Sequence, residues 1–101
     1  MENKKKVSKY TNINIAQQNA HNYLGEDAKL YISPLKTKKY RIFNPILNKW
    51  VDFGQMGYSD LTKHKDKERQ QRYLKRASKI KGDWKNNPYS PNNLSMKILW
   101  A

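Results

Sequence analysis

The hydrophobic pattern of the chain changes period part-way along. In Lys29-Leu30-Tyr31-Ile32-Ser33 it alternates, with Leu30 and Ile32 on one side, and Pro34 ends the run. Such alternation predicts a short strand. Tyr40-Arg41-Ile42-Phe43 alternates again, and so does Lys49-Trp50-Val51-Asp52-Phe53, which stops at Gly54. The five-residue connection Asn44-Pro45-Ile46-Leu47-Asn48 has Asn at both ends and Pro inside. Those residues favour turns, so the two runs predict a β-hairpin. One of its faces, holding Phe43 with Val51 or Tyr40 with Trp50, is expected to pack on a helix. Rings on both faces leave the inward side open.

From a start between Asp60 and Asp66 to an end near Lys81-Gly82, the period becomes helical. Ser59 or Asp60 is expected to cap a short turn through Leu61, and Gly82 suits a helix stop. At about 100° per residue, Lys65, Arg69, Arg72, Arg76 and Lys79 fall on one stripe roughly 80° wide. Tyr73, Leu74, Ala77 and Ile80 form an apolar flank, and Asp66 and Glu68 suit the dipole of the first turns. Between Lys63 and Lys81 nine Lys and Arg stand against two acidic residues. Like charges at i, i+4 repel, so a polyanionic partner is expected to relieve them. Arg69, Arg72 and Arg76 are the foremost contacts, because a planar guanidinium fits phosphate oxygens. Lys65 and Lys79 extend the track, and Lys63 and Lys75 adjoin it.

The flanks are polar. Residues 1–23 are expected to be a flexible basic arm carrying Lys4, Lys5, Lys6 and Lys9, with a short helix across Ile13 to Tyr23 as the other reading. Residues 24–101 then form one domain, opening on a turn at Leu24-Gly25-Glu26-Asp27. Beyond Gly82 the chain is irregular until Asn92 or Asn93 caps a last short helix, in which Leu94, Leu99 and Trp100 plug the core. The predicted fold is a small α+β domain: an antiparallel sheet of two or three strands packed on one amphipathic helix, closed by an aromatic C-terminal segment.

Composition sharpens the functional side. The 101 residues suit one small domain, and three Trp, seven Tyr and two Phe offset an apolar content of only 37%. The net charge is +13, which attracts polyanions. With no cysteine, disulfides and thiolate metal sites are excluded. No apolar run approaches the roughly 20 residues of a membrane span, and Met1–Tyr10 lacks the apolar segment of a signal peptide. The two histidines, His21 and His64, and the scattered acidic residues show no HxxxH or DxD spacing. A hydrolytic metal site needs convergent ligands, so no metal, cofactor or catalytic residue is expected. His64 and Asp66 read instead as a cap or a buried hydrogen bond fixing the start of a helix. Tyr40, Trp50, Tyr58 and Trp84 are ring candidates for either core packing or base stacking. Tyr31 and Tyr58 are the rings expected at the surface, where a base can stack on them.

The run from Trp50 to Trp100 resembles a family of small basic proteins encoded by giant DNA viruses and their relatives. The resemblance rests on Trp50, Val51, Phe53 and Gly54, then Tyr58, Asp60, Thr62, His64, Lys65 and Asp66. It continues through Arg69 or Arg72, Tyr73, Leu74 and Arg76 to Trp84, and covers about residues 38–100. Position 52 is Asp here, where relatives are expected to hold His, and the departure argues further against a metal site. The resemblance implies a virion or host-cytoplasm (viral factory) setting and a genome or capsid context.

These observations predict non-catalytic binding of nucleic acid, viral DNA in the context of the resemblance, through phosphate contacts with little sequence specificity. The alternatives are a minor virion protein docking on acidic capsid or core proteins, and a DNA-processing nuclease. A membrane partner is not expected, because the apolar flank is narrow and needed by the core.

Overall fold

The computed structural model describes residues 6–101 and is α+β. Helix α1 spans Ile13–Leu24. Strands β1 (Tyr31–Ile32), β2 (Lys38–Asn44) and β3 (Lys49–Gln55) form an antiparallel sheet in the order β1-β2-β3. Helices α2 (Leu61–His64) and α3 (Lys67–Ser78) follow, then a 3-10 turn at Trp84–Asn86. Helix α4 (Pro91–Leu94) runs on into a π-helical turn over Ser95–Leu99.

The hairpin turn settles which rings are buried. The Asn44 carboxamide oxygen accepts from the backbone N–H of Ile46 at 2.9 Å and of Leu47 at 3.3 Å. Asn48 takes the left-handed conformation, at φ 54°. The resulting register sets Tyr40 opposite Phe53, Ile42 opposite Val51, and Phe43 opposite Trp50. Residues paired across strands share a face. Tyr40, Ile42 and Phe53 are therefore buried together, while Phe43 and Trp50 stand exposed with Tyr31. Neither expected pairing occurs: Phe43 is parted from Val51, and Tyr40 from Trp50. A one-residue change of register exchanges the faces, so the turn and the burial of one face against the core together fix it.

The boundary expected near residue 23 does not appear in the packing. Lys4 and Lys5 lie outside the described residues, and Lys6 and Lys9 are exposed. Val7, Ala16 and Ala20 are fully buried members of the main core. Ala16 and Ala20 are four residues apart, so they lie on one face of α1, and this helix packs against Ser95–Leu99. Polar groups anchor it further: Asn19 donates to the Ile98 carbonyl at 2.8 Å, and the Gln17 amide bridges Ala28 and Leu30. The segment thus joins the core through small residues and specific hydrogen bonds, which a count of large apolar side chains overlooks.

The short turn expected through Leu61 is helix α2, and the charged helix begins at the late end of its expected range, after Asp66. Asp60 caps α2 by accepting from the Thr62 N–H at 3.0 Å. Lys65 then turns left-handed at φ 57°. Asp66 starts α3 by accepting from the N–H groups of Glu68 and Arg69. Helix α3 ends at Ser78, before Gly82, and the Asn92 amide takes the Ala77 carbonyl at 3.1 Å. The Ile80 N–H donates to the same carbonyl at 3.3 Å, so a local and a tertiary donor share this helix end.

The C-terminal plug forms as expected, with Leu94, Leu99 and Trp100 buried and Ile98 beside them. Its cap is Ser90 rather than Asn92 or Asn93: Ser90 Oγ accepts from the Asn93 N–H, and Pro91 takes the first helical position. Gly54 makes the close approach of this plug to β3 feasible. It sits at φ +81°, and a Cβ there would lie 2.8 Å from Leu99 Cδ1. Gly54→Ala is expected to lower the unfolding free energy by about 2–4 kcal/mol, through backbone strain plus overpacking. Gly57→Ala, at φ +99° but with open space around it, should lose only the strain component, about 1–2 kcal/mol. Urea unfolding of the two variants measures the difference.

Candidate nucleic-acid interface

A buried ionic network positions the site. Lys39 and Asp60 are both buried, and Lys39 Nζ lies 3.0 Å from Asp60 Oδ2 and 2.6 Å from the Tyr58 carbonyl. The other carboxylate oxygen, Oδ1, accepts from the Thr62 hydroxyl. Because that hydroxyl has one proton, Thr11 must donate to Thr62 at 2.9 Å, and Tyr40 to Thr11 at 3.0 Å. A directed chain Tyr40 to Thr11 to Thr62 to Asp60 results, and the Asn12 N–H also donates to Thr62 Oγ1 at 2.8 Å. Burial raises the Tyr40 phenol far above its ordinary pKa. Burial likewise pulls the Lys39 ammonium down, and the Asp60 carboxylate opposes that pull.

The network ties the 58–60 loop to the sheet, and α3 follows from that loop. Between them opens a cleft of about 700 Å³. Arg69, Arg72 and Arg76 line one wall, Lys38 and Gln55 the end of the hairpin, and Tyr58 another part of the rim. Gly54, Leu99 and Trp100 also line it, and Asn92 and Ser95 come from the C-terminal segment. None of the lining residues is acidic. Among the described residues the ion pairs are Lys39–Asp60 and Arg41–Asp52, so no carboxylate there holds Arg69, Arg72 or Arg76. The arginine wall is anchored through Trp100. Its ring stacks on Tyr73 at 4.4 Å, and its carbonyl accepts from Gln70 at 3.0 Å. Burial raises the Tyr73 phenol pKa, with Ser95 opposing.

The stretch that matches a family model carries most of the cleft lining but not all of it. Residues 28–77 match DUF5754, a family of unknown function. No curated protein and no solved structure matches the chain. The DUF5754 stretch includes the sheet, the Asp60 loop and all but the last residue of α3. It therefore supplies Lys38, Gly54, Tyr58 and the three arginines. The C-terminal wall lies beyond it.

The expected cationic track is only partly assembled. Arg69, Arg72 and Arg76 share the cleft. Lys65 does not: the left-handed turn places it at a separate hollow of about 230 Å³, with Lys67, Ile15 and Asn19. Lys79 follows the end of α3, and Lys63 and Lys75 are exposed outside the cleft lining. Of the two candidate stacking rings, Tyr58 is at the cleft and 63% exposed. Tyr31 belongs to another cluster, edge-on to Trp50 at 5.4 Å. The sequence reading missed Lys38, which precedes the run expected as the strand from Tyr40. Its alternation with Tyr40 was the available signal, but only the pairing of Lys38 with Gln55 brings it to the cleft.

His64 forms the expected hydrogen bond at the start of α3, but that bond is exposed rather than buried. Its Nδ1 accepts from the Asp66 N–H at 2.9 Å and its ring lies 5.2 Å from Trp100. Asp52, where a His was expected in relatives, accepts from Ser33 at 2.7 Å and pairs with Arg41. Among the described residues no group of three or more His, Asp or Glu is placed to hold a metal ion. No helix there is long and apolar enough to cross a membrane.

Two substitutions test this framework. Lys39→Met leaves the Asp60 carboxylate buried without its cation and is expected to cost about 3–5 kcal/mol in urea unfolding. His64 gives a pH signature. Burial, then the Arg69 charge, lower its pKa below the ordinary value, with Asp66 opposing. Between the folded and unfolded pKa values the unfolded chain binds more protons, so stability falls as pH drops below about 6.5. Protonation of Nδ1 also removes the acceptor for Asp66. His64→Asn keeps an acceptor and cannot titrate, so its melting temperature should fall less than that of the native chain between pH 7.5 and pH 5.

Proposed function

We propose that this protein is a non-catalytic nucleic-acid-binding domain that holds the phosphate backbone in the arginine cleft. The carrying observation is the cleft itself: Lys38, Arg69, Arg72 and Arg76 converge on it, and none of its lining residues is acidic. Cations gathered in a concavity raise the local concentration of a polyanion more than the same charges spread over a surface. Guanidinium groups make paired hydrogen bonds to phosphate oxygens, which fix the position of a strand without reading its bases. The net charge of +13 supplies long-range attraction for any such polymer. Lys65, Lys63, Lys75 and Lys79 add to that field from outside the cleft.

Fluorescence anisotropy with labelled oligonucleotides across a salt series tests the reading. The logarithm of affinity should fall linearly with the logarithm of salt. Arg72→Ala should weaken binding to all sequences alike and reduce the slope by about 0.7–0.9, the value for one lost phosphate contact. Its stability should stay within about 0.5 kcal/mol of the native chain, since Arg72 is exposed. A slope near zero would favour docking of the basic surface on an acidic protein.

A further inference from the structure

We infer that the cleft is built for a single strand, with one base stacked on Tyr58 while the adjoining phosphates lie along Arg69, Arg72 and Arg76. This rests on the nucleic-acid reading above and adds the state of the polymer.

Three observations carry it. The cations face a concavity, whose walls are the arginine face of α3 and the C-terminal segment. A strand free of its complement can bend into such a groove, whereas a duplex presents its phosphates on a stiff convex surface. The arginines follow at i, i+3 and i+7, so they span about 10 Å along the helix axis, a reach suited to a few consecutive phosphates of one strand.

The second observation is the ring at the rim. Tyr58 is 63% exposed, and among the described residues it has no aromatic partner. Its backbone is nonetheless fixed, since its carbonyl accepts from the buried Lys39 ammonium at 2.6 Å. A large ring presented to water from an anchored backbone is a ready platform for another π-face. In a duplex the base faces are already stacked, so only an unpaired base can use it.

The third observation is the mixed chemistry of the lining. Tyr58, Tyr73 and Trp100 share the cleft with Lys38 and the three arginines. Tyr73 and Trp100 stack on one another and are largely enclosed, which leaves Tyr58 as the lining ring open to a ligand. Cations beside one open ring match a polymer that carries both phosphates and bases, whereas polyphosphate has no base to stack.

The test is anisotropy with a fluorescein-labelled dT12 strand and with the same strand annealed to dA12, using the full chain, Tyr58→Ala, Tyr58→Phe and Arg72→Ala. The native chain should bind the single strand at least tenfold more tightly than the duplex. Tyr58→Ala should weaken single-strand binding by about tenfold or more, in line with the loss of one stacked base, with an unchanged salt slope and little effect on the duplex. Tyr58→Phe should restore the native affinity, and Arg72→Ala should lower the salt slope. Inorganic polyphosphate of similar charge should compete weakly, and equally well with the native chain and Tyr58→Ala. Salt-dependent duplex binding that equals or exceeds single-strand binding, or single-strand binding unaffected by Tyr58→Ala, overturns the single-strand inference and leaves the phosphate reading standing. Binding to neither polymer overturns both.

Discussion

The Lys39–Asp60 ion pair is the constraint on which the rest of the structure depends. A buried ammonium and a buried carboxylate are each costly alone, and they are tolerated only when paired and fully hydrogen-bonded. Asp60 meets that requirement by drawing in three separate parts of the chain: Lys39 from the sheet, Thr62 from α2, and, through Thr62, Thr11 from the N-terminal region. The Asp60 N–H also donates to the Tyr10 carbonyl at 3.0 Å. One carboxylate therefore fixes how the sheet, the loop and the N-terminal segment meet. Each donor has a defined acceptor along the hydroxyl chain, so the arrangement specifies one packing rather than several.

That packing separates the charges of this very basic chain. Among the described residues the cations with carboxylate partners, Lys39 and Arg41, stabilise the fold at the sheet. Arg69, Arg72 and Arg76 have no ion-pair partner among the described residues, and their helix, α3, is capped by Asp66 and packed through Trp100 and Asn92. Mutual repulsion along such a helix is a standing cost, and neutral contacts on its other face offset it. The charge remains available to an external anion. The cations that stabilise the fold are thus distinct from those of the proposed phosphate contacts.

Some of this was legible from the residues. Period-two runs with Asn and Pro between them identify the hairpin, and the cationic bias after Asp66 identifies the charged helix. Asp60 is legible as a cap, and Asp66 as a residue that suits the start of a helix. What could not be read was Asp60 as a buried ion, because a cap and a salt-bridge partner have the same local sequence. The left-handed turn at Lys65 was hidden as well. No glycine marks it, and the Asp66 cap and the His64 hydrogen bond are what support the break. A continuous helical wheel accordingly put Lys65 beside the arginines, whereas the break sends it elsewhere.

Local pattern and composition by themselves determined the class of the fold, the hairpin, the C-terminal plug and a helix bearing cationic and apolar sides. These depend on periodicity and turn chemistry, which act between near neighbours. Tertiary structure alone decided the inward face of the sheet, the recruitment of α1 into the core and the choice of Tyr58 over Tyr31 at the cleft. It also decided which cations converge. Those outcomes depend on strand register, on close approach at Gly54 and Ala16, and on desolvated charge finding a partner far away in the chain, none of which short-range spacing encodes.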